Sequence, residues 1–171
     1  MPGLTLKVVH QDVTRVESEA VVVGFFEDVR PLKGLAGQLD WLLCGSLSDL
    51  LIAGKLRGSP GEVALLTARG KVPAQKVFLV GLGPLSGFSL AALKNAARTA
   101  AASVADAGAA SAAFEYLQPP RTTRESGMPA LQEGLLEGAG GRSLAVSLLA
   151  PDKAACEQLS RLVTNGKQGL S

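Results

Sequence analysis

The sequence predicts an α/β sandwich of three layers, in which a mixed central sheet of about six strands is flanked by helices. Apolar, β-prone segments and helical segments follow one another in the order β-β-α-β-β-α-β-α-β-α. The unbroken apolar run within residues 76–80 is typical of a strand that is covered on both faces. Two pairs of consecutive strands, one early and one in mid-chain, argue against a purely parallel sheet.

The first two strands differ in their patterns. In residues 4–10 apolar side chains recur at every second position, which indicates a strand. Residues 20–26 are apolar throughout and predict an interior strand. Residues 27–35 carry charges, a proline and a glycine, and therefore predict a loop.

A leucine-rich segment follows at residues 39–53. Its leucines recur at spacings of three and four, which predicts one helix or two short helices. The Gly45-Ser46 pair marks the division, with the serine as the cap of the second helix. The glycine-rich residues 54–61 predict a loop or hairpin tip, and residues 62–68 predict a strand that turns into the next one.

The second half of the chain alternates helices with strands. Residues 89–107 predict a helix whose many alanines let it pack close against a sheet, and Gly108 ends it. Residues 110–116 predict a strand. Residues 117–127, which contain two adjacent prolines, predict a loop.

One more helix, strand and helix complete the predicted order. Pro129 suits the first turn of a helix, which the glycine-rich residues 138–141 end. Residues 144–150 predict a buried strand. Residues 151–165 predict a final helix that Gly166 ends.

The composition excludes several classes of function. The chain has 171 residues, a formal charge of +2 from 17 basic and 15 acidic residues, and 4% aromatic residues, which gives no case for nucleic acid or an anionic membrane. It lacks both the run of roughly 20 apolar residues of a membrane span and the pattern of a signal peptide. We therefore expect a cytoplasmic protein with a single domain over residues 1–171.

The cysteines and the histidine are too few and too scattered for a usual zinc site, which needs at least three protein ligands. Cys44 and Cys156 are far apart in sequence and predict buried free thiols. His10, the only histidine, is either a general base or a structural residue at a strand end. The lack of a serine or cysteine partner motif favours the structural role, and we expect no metal and no cofactor.

Three segments carry a resemblance to a known family. They are Leu-Asp at residues 39–40, Gly-Lys-Leu-Arg-Gly-Ser-Pro-Gly-Glu at residues 54–62, and Lys-Val-Phe-Leu-Val-Gly-Leu-Gly at residues 76–83. In this series the chain resembles the N-terminal domain of cytosol (leucyl) aminopeptidases, the M17 peptidases. The resemblance implies a macro-domain-like fold and a non-catalytic domain that contributes to hexamer assembly.

The catalytic part of that family is not found in this sequence. The family holds two metal ions in a separate C-terminal domain, within a motif reading Asn-Thr-Asp-Ala-Glu-Gly-Arg, and no such motif occurs here. Ser171 lies about where that domain would begin. The resemblance thus implies a non-catalytic binding or assembly module. Its partner would be a second copy in a homo-oligomer, or a separate aminopeptidase-like subunit of a composite enzyme.

A second and weaker resemblance is to true macro domains, which bind ADP-ribose. Residues 8–14 and 19–23 are similar to their first strand, turn and second strand, and this match implies that Asp12 holds the adenine amino group. The asparagine-rich segment of those proteins is replaced by residues 24–27. Their triple-glycine phosphate loop is replaced by residues 35–37.

The candidate ligand residues are therefore Asp12 and four residues of one turn, Gly81, Gly83, Ser86 and Gly87. The turn precedes a helix, so its backbone N–H groups are candidates to cradle a phosphate, with the base of a nucleotide-like ligand toward Asp12. We expect both segments near one end of the sheet. The alternatives are an ordinary strand-to-helix connection and an aspartate that forms a turn with its own backbone.

Two further pairs of residues have alternative roles. Phe25 and Phe26 follow the second strand and either stack on a base or plug the cleft, and the gain from burial favours the plug. Lys55 and Arg57 either hold an anion in their glycine-rich loop or are solvated. The second alternative is the more common for loop charges. ADP-ribose binding is accordingly expected to be weak or absent.

Overall fold

A computed structural model describes residues 3–168 of the chain, with side chains described for residues 3–163. Its strands are β1 (Leu4–Val9), β2 (Ala20–Phe25), β3 (Val63–Thr67), β4 (Lys76–Gly81), β5 (Ser111–Glu115) and β6 (Leu144–Leu149). Its helices are α1 (Gly34–Leu42), α2 (Ser46–Ile52), α3 (Leu90–Asp106), α4 (Arg124–Ala139) and α5 (Lys153–Gln168). The predicted order of elements is confirmed, with the leucine-rich segment forming two helices.

The six strands form one mixed sheet in the order β1-β6-β5-β2-β4-β3. Five strands are mutually parallel, namely β1, β6, β5, β2 and β4. Among the described strands only β3, at the edge, runs antiparallel to its neighbour β4. The predicted mixed sheet is therefore confirmed. Its antiparallel pair is the mid-chain one, because β1 and β2 are separated by β6 and β5.

Side chains of alternate strand residues build a separate core on each face of the sheet. On one face Val22, Phe78 and Phe114 join buried residues of α3, α4 and α5. On the other face Val21 and Val77 join buried residues of α1 and α2. The chain thus has the three layers that the sequence predicts.

The backbone of the alanine-rich helix α3 approaches that of α4 closely. A Cβ added at Gly134 would lie 2.3 Å from the carbonyl oxygen of Lys94, and one at Gly138 would lie 2.3 Å from that of Arg98. The Lys94 ammonium lies 2.9 Å from the Glu133 carboxylate beside this contact. Small residues therefore let these two helices approach closely, in addition to the predicted packing of α3 on the sheet.

Two helices begin earlier than predicted. α1 starts at Gly34, inside the predicted loop at 27–35. α4 starts within the predicted loop at 117–127, because Thr123 and Ser126 form a capping box that satisfies donors of its first turn. Pro129, predicted in the first turn, lies inside this helix.

Three smaller predictions are wrong. Gly45, with φ of +83°, is the N-cap of α2, whereas the Ser46 hydroxyl donates to the Leu43 carbonyl and caps nothing. α5 continues through Gly166 to Gln168. Both cysteines are free, but Cys44 is exposed and Cys156 only partly buried.

By length and apolar composition, no single helix among the described residues could cross a membrane. Only α1 and α2 meet these criteria, when taken as a pair, and the two are bent by 106° at their junction.

Candidate functional site

An open cleft of about 640 Å³ lies at the carboxyl edge of the parallel strands. Residues that follow β1, β5 and β6 form one side, and the first turns of α1 form the other. Ligands of open α/β sheets commonly bind at this edge. The lining residues are His10, Gln11, Asp12, Val13, Gly34, Leu35, Gln38, Glu115, Tyr116, Leu149, Ala150 and Pro151.

Asp12 is held in the cleft by a fixed set of donors. Its carboxylate accepts the backbone N–H of Thr14 at 2.9 Å, the Thr14 hydroxyl at 2.6 Å and the Gln38 side-chain amide at 2.9 Å. The hydrogen bonds from Thr14 are the main cause of the lowered pKa of Asp12, and the Gln38 amide adds to it. Asp12 thus forms the turn with its own backbone that the sequence offers as an alternative to a ligand site. Its role toward a ligand stays a prediction.

Glu115, at the end of β5, places a second carboxylate in the cleft. Its Oε1 accepts the backbone N–H of Leu35 at 3.1 Å, in the first turn of α1. Gly34 has φ of +61°, and a Cβ there would lie 2.7 Å from the same oxygen. Burial raises the pKa of Glu115, and the Leu35 N–H opposes this shift only in part.

Sequence reasoning assigned no role to Glu115. It lies within the predicted strand 110–116, where it is the only ionisable carboxylate among small and aromatic residues. A charge at the end of an otherwise apolar strand is the signal that could have identified it.

Tyr116 forms part of the cleft wall beside Glu115. Its side chain is buried, and its hydroxyl donates to the Gln118 side chain. Burial raises the pKa of Tyr116 to about 12, so the phenol stays protonated at neutral pH. It adds no negative charge to the two carboxylates of the cleft.

Three glycines of the predicted turn have their backbone N–H groups engaged inside the chain. The N–H of Gly81 bonds the Glu62 carbonyl at 2.8 Å, that of Gly83 the Gly58 carbonyl at 2.7 Å, and that of Gly87 the Pro84 carbonyl at 3.1 Å. Such donors are not free to cradle a phosphate.

Gly81 and Gly83 are needed for a close approach between loops. A Cβ at Gly81 would lie 2.1 Å from the carbonyl oxygen of Ser59, and one at Gly83 would lie 2.8 Å from the Pro60 ring. These contacts bring the glycine-rich loop at residues 54–61 against the end of β4. Ser86 is exposed, next to this contact in sequence.

Asp12 and the glycine turn follow parallel strands, so they lie at the same edge of the sheet, as expected. β6, β5 and β2 stand between their strands β1 and β4. None of Gly81, Gly83, Ser86 and Gly87 lines the cleft that contains Asp12. The structure does not bring the predicted residues together in one cavity, and their role in binding stays a prediction.

A second cavity, of about 250 Å³, opens where β2 and β5 separate. The two strands pair only as far as Val22 and Phe114. Beyond this point Phe25 is buried, and the Phe26 ring packs edge-on against Phe88 with centroids 5.2 Å apart. Both rings are packed against the protein, but neither lines the cleft that contains Asp12, so the choice between stacking and plugging stays a prediction.

The other charged candidates lie apart from one another. His10 is exposed at the rim of the cleft. Lys55 and Arg57 are exposed, and the loop is held by the Glu62 carboxylate, which accepts the backbone N–H of Arg57 at 2.9 Å. Among the described residues, no three His, Cys, Asp or Glu side chains gather where a metal ion could bind. The described residues therefore do not fit the metal pair of M17 peptidases.

The strand order, the single antiparallel edge strand and the cleft at the carboxyl edge define a macro-domain-like α/β protein. The model of the cytosol aminopeptidase family, N-terminal domain, matches residues 22–147. The chain belongs to this family. A probable cytosol aminopeptidase of Alkaliphilus metalliredigens is 28% identical over 92 residues, which are 54% of this chain and 18% of that protein. The chain thus spans a small part of the length of the relatives it matches.

Solved structures show the same fold. A mutant of tomato leucine aminopeptidase superposes with a TM-score of 0.74 and 20% identity, over 97% of this chain and 36% of that one. The Oceanobacillus iheyensis macrodomain with MES bound superposes with a TM-score of 0.75 and 13% identity, over 96% of this chain and 93% of that one. At these identities the likeness concerns the fold alone.

Proposed function

We propose that this chain is a non-catalytic assembly module of the cytosol aminopeptidase type, cytoplasmic like that family, whose cleft does not take nucleotides. We base the exclusion of nucleotides on the Glu115 carboxylate, which accepts the backbone N–H of Leu35 in the first turn of α1. A helix N-terminus favours an anion, and here the anion comes from the chain itself.

The charge of the cleft supports this exclusion. A diphosphate placed beside Glu115 would meet a like charge, and Asp12 carries a second one because its donors lower its pKa. Two like charges about 4 Å apart repel by about 1 kcal/mol in water and about 4 kcal/mol at a dielectric constant of about 20. No described Lys or Arg lines this cleft itself, although Arg15 lines the adjoining pocket and its charge helps to lower the pKa of Asp12.

Two exposed apolar side chains support a role in assembly. Trp41 on α1 is 81% exposed and Ile52 on α2 is 84% exposed. Large exposed apolar groups often mark contact sites, and tryptophan is enriched among the residues that dominate binding energy. We therefore place the contact with an aminopeptidase-type chain, or with a second copy, on the α1–α2 layer.

Sedimentation velocity tests the assembly role. We expect concentration-dependent association of the chain alone, or association with an aminopeptidase catalytic domain. The double substitution Trp41→Ser and Ile52→Ser should weaken it at least tenfold, or about 1.4 kcal/mol. Leu136→Ser, at a residue 51% exposed on α4 in the opposite layer, is the matched control. A chain that stays monomeric alone and also does not associate with the catalytic domain would contradict the proposal.

A macro-type module that binds ADP-ribose is the second candidate. It is favoured by the position of Asp12 in a cleft at the carboxyl edge of the sheet. Isothermal titration with ADP-ribose separates the two candidates. We expect weak or absent binding, and a micromolar dissociation constant that is lost in Asp12→Ala would favour the nucleotide-binding module.

An accessory subunit of a composite aminopeptidase is the third candidate. We expect no hydrolysis of leucine-para-nitroanilide by the pure chain with Mn²⁺ or Zn²⁺, because the described residues offer no set of metal ligands to activate water. Metal-dependent turnover would contradict this expectation. A rise in the activity of an added catalytic subunit would favour the accessory role.

A further inference from the structure

The cavity beyond the paired part of β2 and β5 is small and mainly apolar. Its walls include Phe25, Phe26, Val29, Leu32 and Leu117. Its volume of about 250 Å³ is below the roughly 300–1,000 Å³ of pockets for drug-sized ligands. A ligand that fits would be about as large as one amino-acid side chain with its polar head.

One carboxylate, that of Glu115, lines this apolar cavity. Among the described residues, its only hydrogen-bond donor is the uncharged N–H of Leu35. Among the described side chains no Lys, Arg or His forms an ion pair with it, although Lys33 also lines the cavity. A half-buried carboxylate without a cation is costly, and a cationic ligand would offset that cost.

We propose that this cavity binds a small protonated primary amine with a short aliphatic group, with the ammonium on Glu115 and the aliphatic group against Phe26 and Val29. The cavity then complements the ligand at both ends, since the ammonium meets the carboxylate and the aliphatic group meets apolar walls. The binding is non-covalent and independent of the proposed assembly surface on Trp41 and Ile52.

The lining residues favour an amine over the other cations. A metal ion needs several ligand atoms, whereas Glu115 is the one acidic side chain among the described residues that line the cavity. A guanidinium carries five donors, and most of them would face apolar walls without an acceptor. An ammonium on one carboxylate, with its remaining donors toward the open mouth, leaves the fewest polar groups unsatisfied.

Calorimetric titration of the unmodified chain with three ligands that share the isoamyl group tests the proposal. We expect isoamylamine to bind at least tenfold more tightly than isoamyl alcohol, which lacks the charge, and 4-methylpentanoate, which reverses it, not to bind. Equal binding of the amine and the alcohol, or no binding of the amine at millimolar concentration, would overturn the proposal.

Two substitutions locate the binding in the cavity. Glu115→Gln keeps an oxygen for the Leu35 N–H, and it should lower the affinity for isoamylamine at least tenfold without changing that for isoamyl alcohol. Val29→Trp fills the apolar wall and should abolish binding of both. Glu157→Gln removes an exposed carboxylate on α5 and should change neither. Unchanged amine affinity in Glu115→Gln would refute the site, whatever the result for assembly.

Discussion

Two carboxylates face the same cleft with opposite pKa shifts, because Glu115 is half-buried whereas Asp12 is exposed and accepts several hydrogen bonds. Hydrogen bonds from Thr14 and Gln38 lower the pKa of Asp12, while burial raises that of Glu115 and the hydrogen bond from the Leu35 N–H opposes the rise only in part. Glu115 therefore carries an electrostatic cost in the folded state. We regard such a cost as a sign of a recognition role.

At the residue scale, Glu115→Gln should stabilise the fold at neutral pH. The folded state binds the Glu115 proton more tightly than the unfolded state, so this residue's contribution is most favourable below the ordinary glutamate pKa of 4.5 and declines as the pH rises through the higher folded value. At pH 7 we expect the variant to have a higher free energy of unfolding than the unmodified chain, because the amide carries no charge to desolvate. Urea denaturation at pH 4 and pH 7 measures the difference.

The sign of this pH dependence is specific to a desolvated carboxylate. The gain of Glu115→Gln over the unmodified chain should disappear near pH 4, where the glutamate is largely protonated in both the folded and the unfolded state. Glu157→Gln, at an exposed position, should give a flat difference. A loss of stability for Glu115→Gln at pH 7 would mean that attraction to the α1 N-terminus exceeds the cost of burial.

At the element scale, substitutions of the glycines at and after the end of β4 test whether these residues are needed for packing or for ligand binding. Gly81→Ala would place its Cβ 2.1 Å from the Ser59 carbonyl oxygen, so the loop at 54–61 must move away. We expect a loss of about 1–3 kcal/mol in the free energy of unfolding, as for other overpacked sites. Chemical denaturation checks this value.

Gly87→Ala is the matched control from the same predicted phosphate turn. The nearest atom to its added Cβ is the Pro84 ring carbon at 3.5 Å, an ordinary contact. Its stability should stay within about 0.5 kcal/mol of the unmodified chain. If both variants kept full stability, close packing would not explain the glycine at position 81.

At the scale of the whole molecule, the chain carries its own probe of association. Trp41 is its only tryptophan and is 81% exposed. If the α1–α2 layer is the assembly surface, association should bury Trp41 and lower the quenching of its fluorescence by acrylamide. Acrylamide quenching is measured over the range of protein concentration in which sedimentation shows association. Quenching that stays constant while the chain associates would exclude this surface.

The positions of most strands and helices could be predicted from local sequence patterns. The apolar run that forms β4, the capping of α3 by Ser89 and the end of α3 before Gly108 depend on residues close in sequence. The starts of α1 and α4 were missed because the glycine at position 34, and prolines near and within α4, outweighed the helix signals around them. Local propensity is a weak guide where capping and packing decide.

The sequence by itself determined the class of fold, the family resemblance and the turn at Asp12, since each of these rests on residues near one another in the chain. The tertiary structure alone decided the site. It set three strands between Asp12 and Gly81. It also brought Glu115 onto Leu35, 80 residues away in sequence. The physical reason is that sheet order and the pairing of a strand end with a helix start are set by the packing of the whole core, which no local pattern specifies.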